Sequence, residues 1–261
     1  MFASVLSEAI RNAAGRALEP HYPGLATALR HALYRVGADV TTSVARRPCL
    51  VVAPHPDDET LGAGVTIMRK VEAGTPVRVL IATDGSKSPP GDPERVAAMR
   101  TAELGAACKE LGLPSDAVER LPFVDAELER AEEALVSAIA DAVARFEPDE
   151  VLSTSETDPH EDHAALGRAT RIAVSGRSTR LLAYPVWQFD RPPRLLRMLV
   201  RSGRPELVRT EGYLARKRRA IAAFDSQLAP VPNPDGLEPS FVAHFEGAYE
   251  TFFPVPPLDR W

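Results

Sequence analysis

The sequence predicts an α/β fold built on a doubly wound, mostly parallel sheet. Three observations lead there. Short apolar runs of strand length alternate with longer segments of helical periodicity. Two of those runs pass straight into clusters of His and Asp. Of the 261 residues, 44% are hydrophobic, enough for one sizeable core. Alternating strands and helices call for parallel strands, because each crossover helix returns the chain to the end of the sheet from which it started.

The elements follow in chain order. Phe2, Val5, Leu6, Ile10 and Ala14 recur at helical spacing, and Leu25, Leu29, Leu33 and Val36 repeat the pattern. These two leading helices form an N-terminal extension over residues 1–46. They are expected to pack on the main domain; the alternatives are a second subunit in a homo-oligomer or a membrane surface. The main domain, residues 47–261, opens with a strand from Cys49 to Ala53. A helix pattern around Val65 to Val71 and a strand from Val77 to Ala82 come next. A helix over Glu94–Leu111, a strand near Val118–Val124, a helix over Leu128–Arg145 and a strand at Glu150–Thr154 continue the alternation. A helix from His163 to Ala173 and a strand over Arg180–Val186 complete it. The expected architecture is Rossmann-like with strand order 3-2-1-4-5, in which strands one and four flank the point where the winding reverses.

Residues 190–261 differ in composition. Arginines mix with Leu195, Leu196, Met198, Leu199 and Val200, a helical stretch covers Lys217–Phe224, and Pro230, Pro232, Pro234 and Pro239 follow. This reads as a C-terminal capping region, not a second core.

The net charge of −5 argues against a nucleic-acid partner, which draws a basic excess over a whole domain. Ten Lys or Arg face two acids between Arg191 and Arg219, a local +8 that leaves −13 elsewhere. The two cysteines, Cys49 and Cys108, are too few and too ordinary in setting for a disulfide framework and read as small core residues. With no apolar stretch of about eighteen residues and no secretion-signal pattern at the start, a cytoplasmic enzyme is expected.

The chemistry concentrates in two loops. The first strand runs into Pro54-His55-Pro56-Asp57-Asp58-Glu59, at the end of the sheet where open α/β folds bind ligands. His55 and Asp58, three apart at a helix entrance, can converge on one point. Adjacent carboxylates repel unless a cation or proton lies between them. The fourth strand ends in Asp158-Pro159-His160-Glu161-Asp162-His163. A lone His-x-x-Asp at a helix start is commonly a capping acid beside a solvated histidine. Two such clusters at the ends of neighbouring strands open into one crevice. Two histidines and a carboxylate from such loops give zinc three ligands and leave a fourth position for water.

Together the two motifs resemble the paired signatures of the LmbE-like, or PIG-L, family of zinc-dependent N-deacetylases. Thr83-Asp84-Gly85, Arg100 to Glu103 and Ser226-Gln227 resemble further family motifs, with Glu250 a fainter echo. The resemblance covers Cys49 to Val186 well. It implies an LmbE-like sheet and a Zn2+ ion held by His55, Asp58 and His163. It also implies Asp57 as general base and His160 as the group that stabilises the oxyanion, as a cation, or protonates the leaving amine. The implied substrate is an N-acetylated amino sugar or a related amide on a sugar conjugate. Two departures stand out: Glu161 occupies a place where the family commonly has proline, and Phe123–Leu128 resembles a substrate loop that is usually richer in glycine. Arg100 and Asp125 are candidates for gripping sugar hydroxyls; the competing readings are a surface arginine and a helix N-cap.

Rival classes have less support. Gly62-Ala63-Gly64 invites a dinucleotide site, but Ile67 takes the third glycine position and the acidic loop would repel a pyrophosphate. No Gly-x-Ser-x-Gly elbow exposes a serine nucleophile. A metal-binding but inactive interaction module would have no need of Asp57 beside the ligands. The basic Arg191–Arg219 stretch reads as arginines coating the polar side of helices. The sharper alternative is attraction of an anionic substrate, such as a sugar nucleotide or a lipid-linked phosphate.

Overall fold

The computed structural model describes residues 23–228 and 236–258. The first leading helix and Pro230, Pro232 and Pro234 lie outside those residues. Eight strands are described: β1 Ala38–Asp39, β2 Cys49–Ala53, β3 Val77–Thr83, β4 Val118–Phe123, β5 Glu150–Thr154, β6 Arg180–Tyr184, β7 Glu206–Arg209 and β8 Tyr249–Pro254. The main helices are α1 Pro23–Val36, α2 Asp58–Glu72, α3 Pro93–Leu111, α4 Glu132–Phe146, α5 Glu161–Ala173, α6 Pro192–Ser202 and α7 Leu214–Ala222.

The sheet order is β1-β7-β8-β6-β5-β2-β3-β4. Five consecutive strands from the β4 edge, β4-β3-β2-β5-β6, are parallel and reproduce the expected order 3-2-1-4-5. β8 then pairs antiparallel with β6 and β7, and the two-residue β1 closes the edge parallel to β7. The C-terminal region therefore does more than cap, since two of its segments are sheet. Those strands escape a reading by periodicity: β7 has four residues and opens just after an arginine-rich helix.

Period-two alternation along β2 feeds two cores. Cys49, Val51 and Ala53 face one side with Leu61, Val65 and Met68 of α2, Leu104 and Leu111 of α3, and Ile221 of α7. Leu50 and Val52 face the other with Leu135 and Ile139 of α4 and Leu166 and Ala169 of α5. Helices on both faces explain why β2 and β5 are buried along their whole length. Leu33 of α1 is buried in the first core, so this leading helix packs on the main domain. Both cysteines are buried free thiols.

Gly62 owes its place to packing, not to a dinucleotide. A Cβ there would stand 2.2 Å from the Tyr184 ring, whose hydroxyl donates to the Val52 carbonyl at 2.9 Å. Beside it, the buried Lys217 Nζ donates to the Leu61 carbonyl and pairs with Glu250 at 2.7 Å. Glu250 in turn accepts from the amides of Val65 and Thr66. The C-terminal segment thus laces α2 in place. Of the ten basic residues in 191–219, Arg194, Arg201, Arg204, Arg209, Arg216, Lys217, Arg218 and Arg219 bond to carboxylates or carbonyls of the chain. No helix of the described residues is long and apolar enough to cross a membrane.

Candidate functional site

The β2 and β5 ends lie side by side, with Val51 level with Leu152. Beyond β2, the Pro54 carbonyl accepts from the Thr83 amide at 3.0 Å and from its hydroxyl at 2.9 Å, which ties the His55 loop to the neighbouring strand. Asp57 has φ 138, a backbone conformation that side-chain-bearing residues rarely adopt. Its amide donates to the Glu59 carboxylate at 3.0 Å, and Arg100 bonds its side chain at 3.2 Å. Burial pushes the Asp57 carboxyl up to about 7, with Arg100 opposing the rise. Beyond β5, Thr154 Oγ1 donates to the His163 carbonyl, and the Asp158 carboxylate accepts the His160 amide at 2.9 Å.

These restraints bring the two loops together. Asp58 Oδ2 stands 3.3 Å from His55 Nδ1 and 3.4 Å from His163 Nε2. Three donors about 2.0–2.2 Å from one tetrahedral ion lie about 3.3 Å apart, so this spacing suits zinc. The three groups form a candidate metal set, and donor chemistry fits: two imidazoles, one carboxylate, little solvent. The other nitrogen of His55 is engaged on its far side, with Asp125 at 3.2 Å and Asp162 at 3.1 Å. Carboxylates behind a ligating imidazole fix its orientation and tautomer. Burial would lower the His55 pKa, but Asp125, Asp162 and Asp58 outweigh it and raise the value well above normal. Asp58 is held below the usual range against its own burial, chiefly by His163 and His55. Such a knot of buried acids and imidazoles is the setting a cation resolves.

His160 differs from its neighbours. Burial and the adjacent His163 and His55 lower it to about 4, which makes it neutral at pH 7. A cationic imidazole, as the resemblance implies, is opposed there chiefly by burial.

Residues 50–174 match the family model described as PIG-L: GlcNAc-PI de-N-acetylase. This segment belongs to the PIG-L family. A probable N-acetyl-alpha-D-glucosaminyl L-malate deacetylase 2 of Bacillus cereus is 34% identical over 137 residues, 49% of this chain and 61% of that protein. A 1D-myo-inositol 2-acetamido-2-deoxy-alpha-D-glucopyranoside deacetylase of Kineococcus radiotolerans is 37% identical over 113 residues, 34% of this chain and 31% of that protein. The chain thus spans less than two thirds of either curated relative. The solved N,N'-diacetylchitobiose deacetylase from Pyrococcus horikoshii shares the fold, with a TM-score of 0.65 over 87% of this chain and 90% of that one at 21% identity.

The PIG-L segment contains His55, Asp57, Asp58, Arg100, Asp125, His160 and His163, and all seven line one cavity of about 550 Å³. Arg100 is no surface arginine: it is 2% exposed and donates to the carbonyls of Ser88 and Pro56 as well as to Asp57. Gly85, with φ 66, lets the chain turn against the Arg100 guanidinium, where a Cβ would stand 2.9 Å away. Asp125 is no helix cap either, since its carboxylate accepts from the Lys87 amide at 2.8 Å and faces His55. Glu161, in the proline's place, is exposed in the first turn of α5, where its charge suits the helix dipole. Sequence reasoning missed Asp162, which braces His55 and accepts from the amides of Ala126 and Leu128. It also missed Trp187 and Phe241, which line the cavity from outside the PIG-L segment together with Gln227 of the Ser226-Gln227 motif. For Trp187 the one available signal is its position just past the end of β6. No residue of the basic 191–219 stretch lines the cavity.

Proposed function

We propose that the protein is a zinc-dependent hydrolase that removes an N-acetyl, or related N-acyl, group from an amino-sugar-containing substrate. The observation that carries this reading is the meeting of His55, Asp58 and His163 at metal-donor spacing with the buried carboxylate of Asp57 beside them. The deacetylases named among the relatives support it. His55, Asp58 and His163 hold the ion. When bound there, zinc supplies Lewis acidity and a coordinated water of lowered pKa.

Asp57 is the general base. A carboxyl raised to about 7 accepts a proton from attacking water near neutral pH and returns it readily. His160, neutral, donates a hydrogen bond from a ring nitrogen to the oxygen that gains charge as the amide carbonyl becomes tetrahedral. Because His160 carries no spare proton at pH 7, the proton taken by Asp57 goes on to the leaving nitrogen. Acetate and a free amine result. Arg100 holds Asp57 in place, and Arg100 and Asp125 offer polar groups to sugar hydroxyls at that end of the cavity. A cytoplasmic setting belongs to the same reading, with buried free thiols suited to a reducing compartment.

The test is amine release from a panel of N-acetylated sugars, nucleotide sugars and glycosylated natural products, with and without a chelator. Chelator-sensitive release from at least one is expected. Zinc-loaded protein inert toward the whole panel would overturn the reading in favour of a metal-binding module.

A further inference from the structure

The cavity lining is ordered by its contacts. At one end Asp125 meets His55 Nε2 at 3.2 Å. The His55 and His160 rings are 5.0 Å apart, and Trp187 lies 6.5 Å beyond His160 with its ring within 21° of parallel. Phe241, buried, stacks behind Trp187 at 4.5 Å and 26°. Leu237, Val186 and Leu61 complete this apolar lining. Metal donors therefore sit between a polar end and an aromatic end.

Trp187 is also tied to the reacting centre through the backbone. Its amide and that of His160 both donate to the carboxylate of Asp158, at 3.4 and 2.9 Å. The indole is half buried, backed by Phe241, and its remaining apolar surface lines the cavity. Such aromatic surface stacks well on rings and on apolar groups, with a gain beyond the area covered. A cavity of about 550 Å³ lies in the range that encloses a drug-sized ligand and is roomier than a single N-acetylhexosamine needs.

We propose that Trp187 is a specificity-determining residue, whose ring forms, with Phe241, Leu237 and Val186, a subsite for an apolar or aromatic aglycone on the amino sugar. This rests on the deacetylase reading above for the position of the sugar. It narrows the substrate class to N-acyl amino sugars carrying a hydrophobic group.

The experiment compares free N-acetylglucosamine with its benzyl glycoside in the zinc-loaded wild type, Trp187→Ala and Trp187→Phe. Expected is a wild-type preference for the benzyl glycoside in kcat/KM that falls about ten-fold in Trp187→Ala, mainly through KM, and largely survives in Trp187→Phe. Equal losses on both substrates, or an unchanged preference, would overturn the proposal. If neither compound is hydrolysed, binding decides the matter separately from the deacetylase reading. The chain has two tryptophans, so Trp261→Phe leaves Trp187 as the only indole emitter. A shift of its emission with benzyl glycoside but not with free sugar supports the subsite, and no shift with either sinks it.

Discussion

Arg100 Nη2 lies 3.2 Å from Asp57 Oδ2, joining the guanidinium of a helix interior to the cluster that follows the first apolar strand. Burial drives the Asp57 carboxyl up to about 7, and Arg100 is the strongest group acting the other way. In Arg100→Gln that counterweight is gone, so the carboxyl pKa rises further and a smaller fraction is ionised at any given pH. The acidic limb of the kcat/KM profile should move to higher pH. A limb that stays in place would remove Asp57 from the role of base.

Asp57→Asn and His163→Ala separate base from ligand. The first should lower kcat by about 10²–10⁴-fold, the usual contribution of a positioned base, with zinc content unchanged. The second should lose the metal itself, because one of three protein donors is gone. Metal analysis of both purified variants beside their turnover checks the pair.

Asp162 does not touch the proposed ion directly; it orients His55 from behind at 3.1 Å. Asp162→Asn leaves one acceptor oxygen where two carboxylate oxygens serve, one for His55 and the Ala126 amide and the other for the Leu128 amide, so that support weakens. Zinc affinity should drop about 10–100-fold, as measured by chelator competition. Unchanged affinity would mean that Asp125 alone fixes the imidazole.

Two glycine substitutions should move stability in opposite directions. Gly62→Ala drives a methyl into the Tyr184 ring and should cost about 1–3 kcal/mol. Gly105→Ala, in the exposed face of α3 with nothing within 4 Å of the new Cβ, should gain about 0.5–1 kcal/mol. Urea unfolding of the zinc-loaded proteins measures both.

The basic 191–219 stretch is spent on internal partners, such as Arg201 with Glu156 and Arg209 with Asp39, and stays away from the cavity. The Michaelis constant for a neutral sugar amide should therefore change by less than about two-fold as salt is raised through the physiological range. A steep dependence would revive an anionic substrate.

Much of this was legible because strands and clustered ligands leave local marks. The five strands of the parallel core stand out as apolar runs, and His55, Asp58 and His163 stand out because each cluster follows a run directly. β7 and β8 left no such mark: both lie among arginines and prolines, and their pairing depends on partners far along the chain. Arg100 gives the clearest contrast. Its motif was visible, but whether a helix arginine faces water or a buried carboxylate is decided by what packs above it.

By itself, the sequence determined the alternation of strands and helices, the order of the parallel core and the two His- and Asp-bearing loops that supply the candidate donors, since periodicity and residue chemistry are local properties. Only the tertiary structure decided that burial lowers the His160 pKa, that Asp162 and Asp125 back His55, and that Trp187 adds an aromatic wall. Desolvation, charge proximity and ring stacking depend on distances between segments far apart in the chain, and those distances exist only once the sheet has formed.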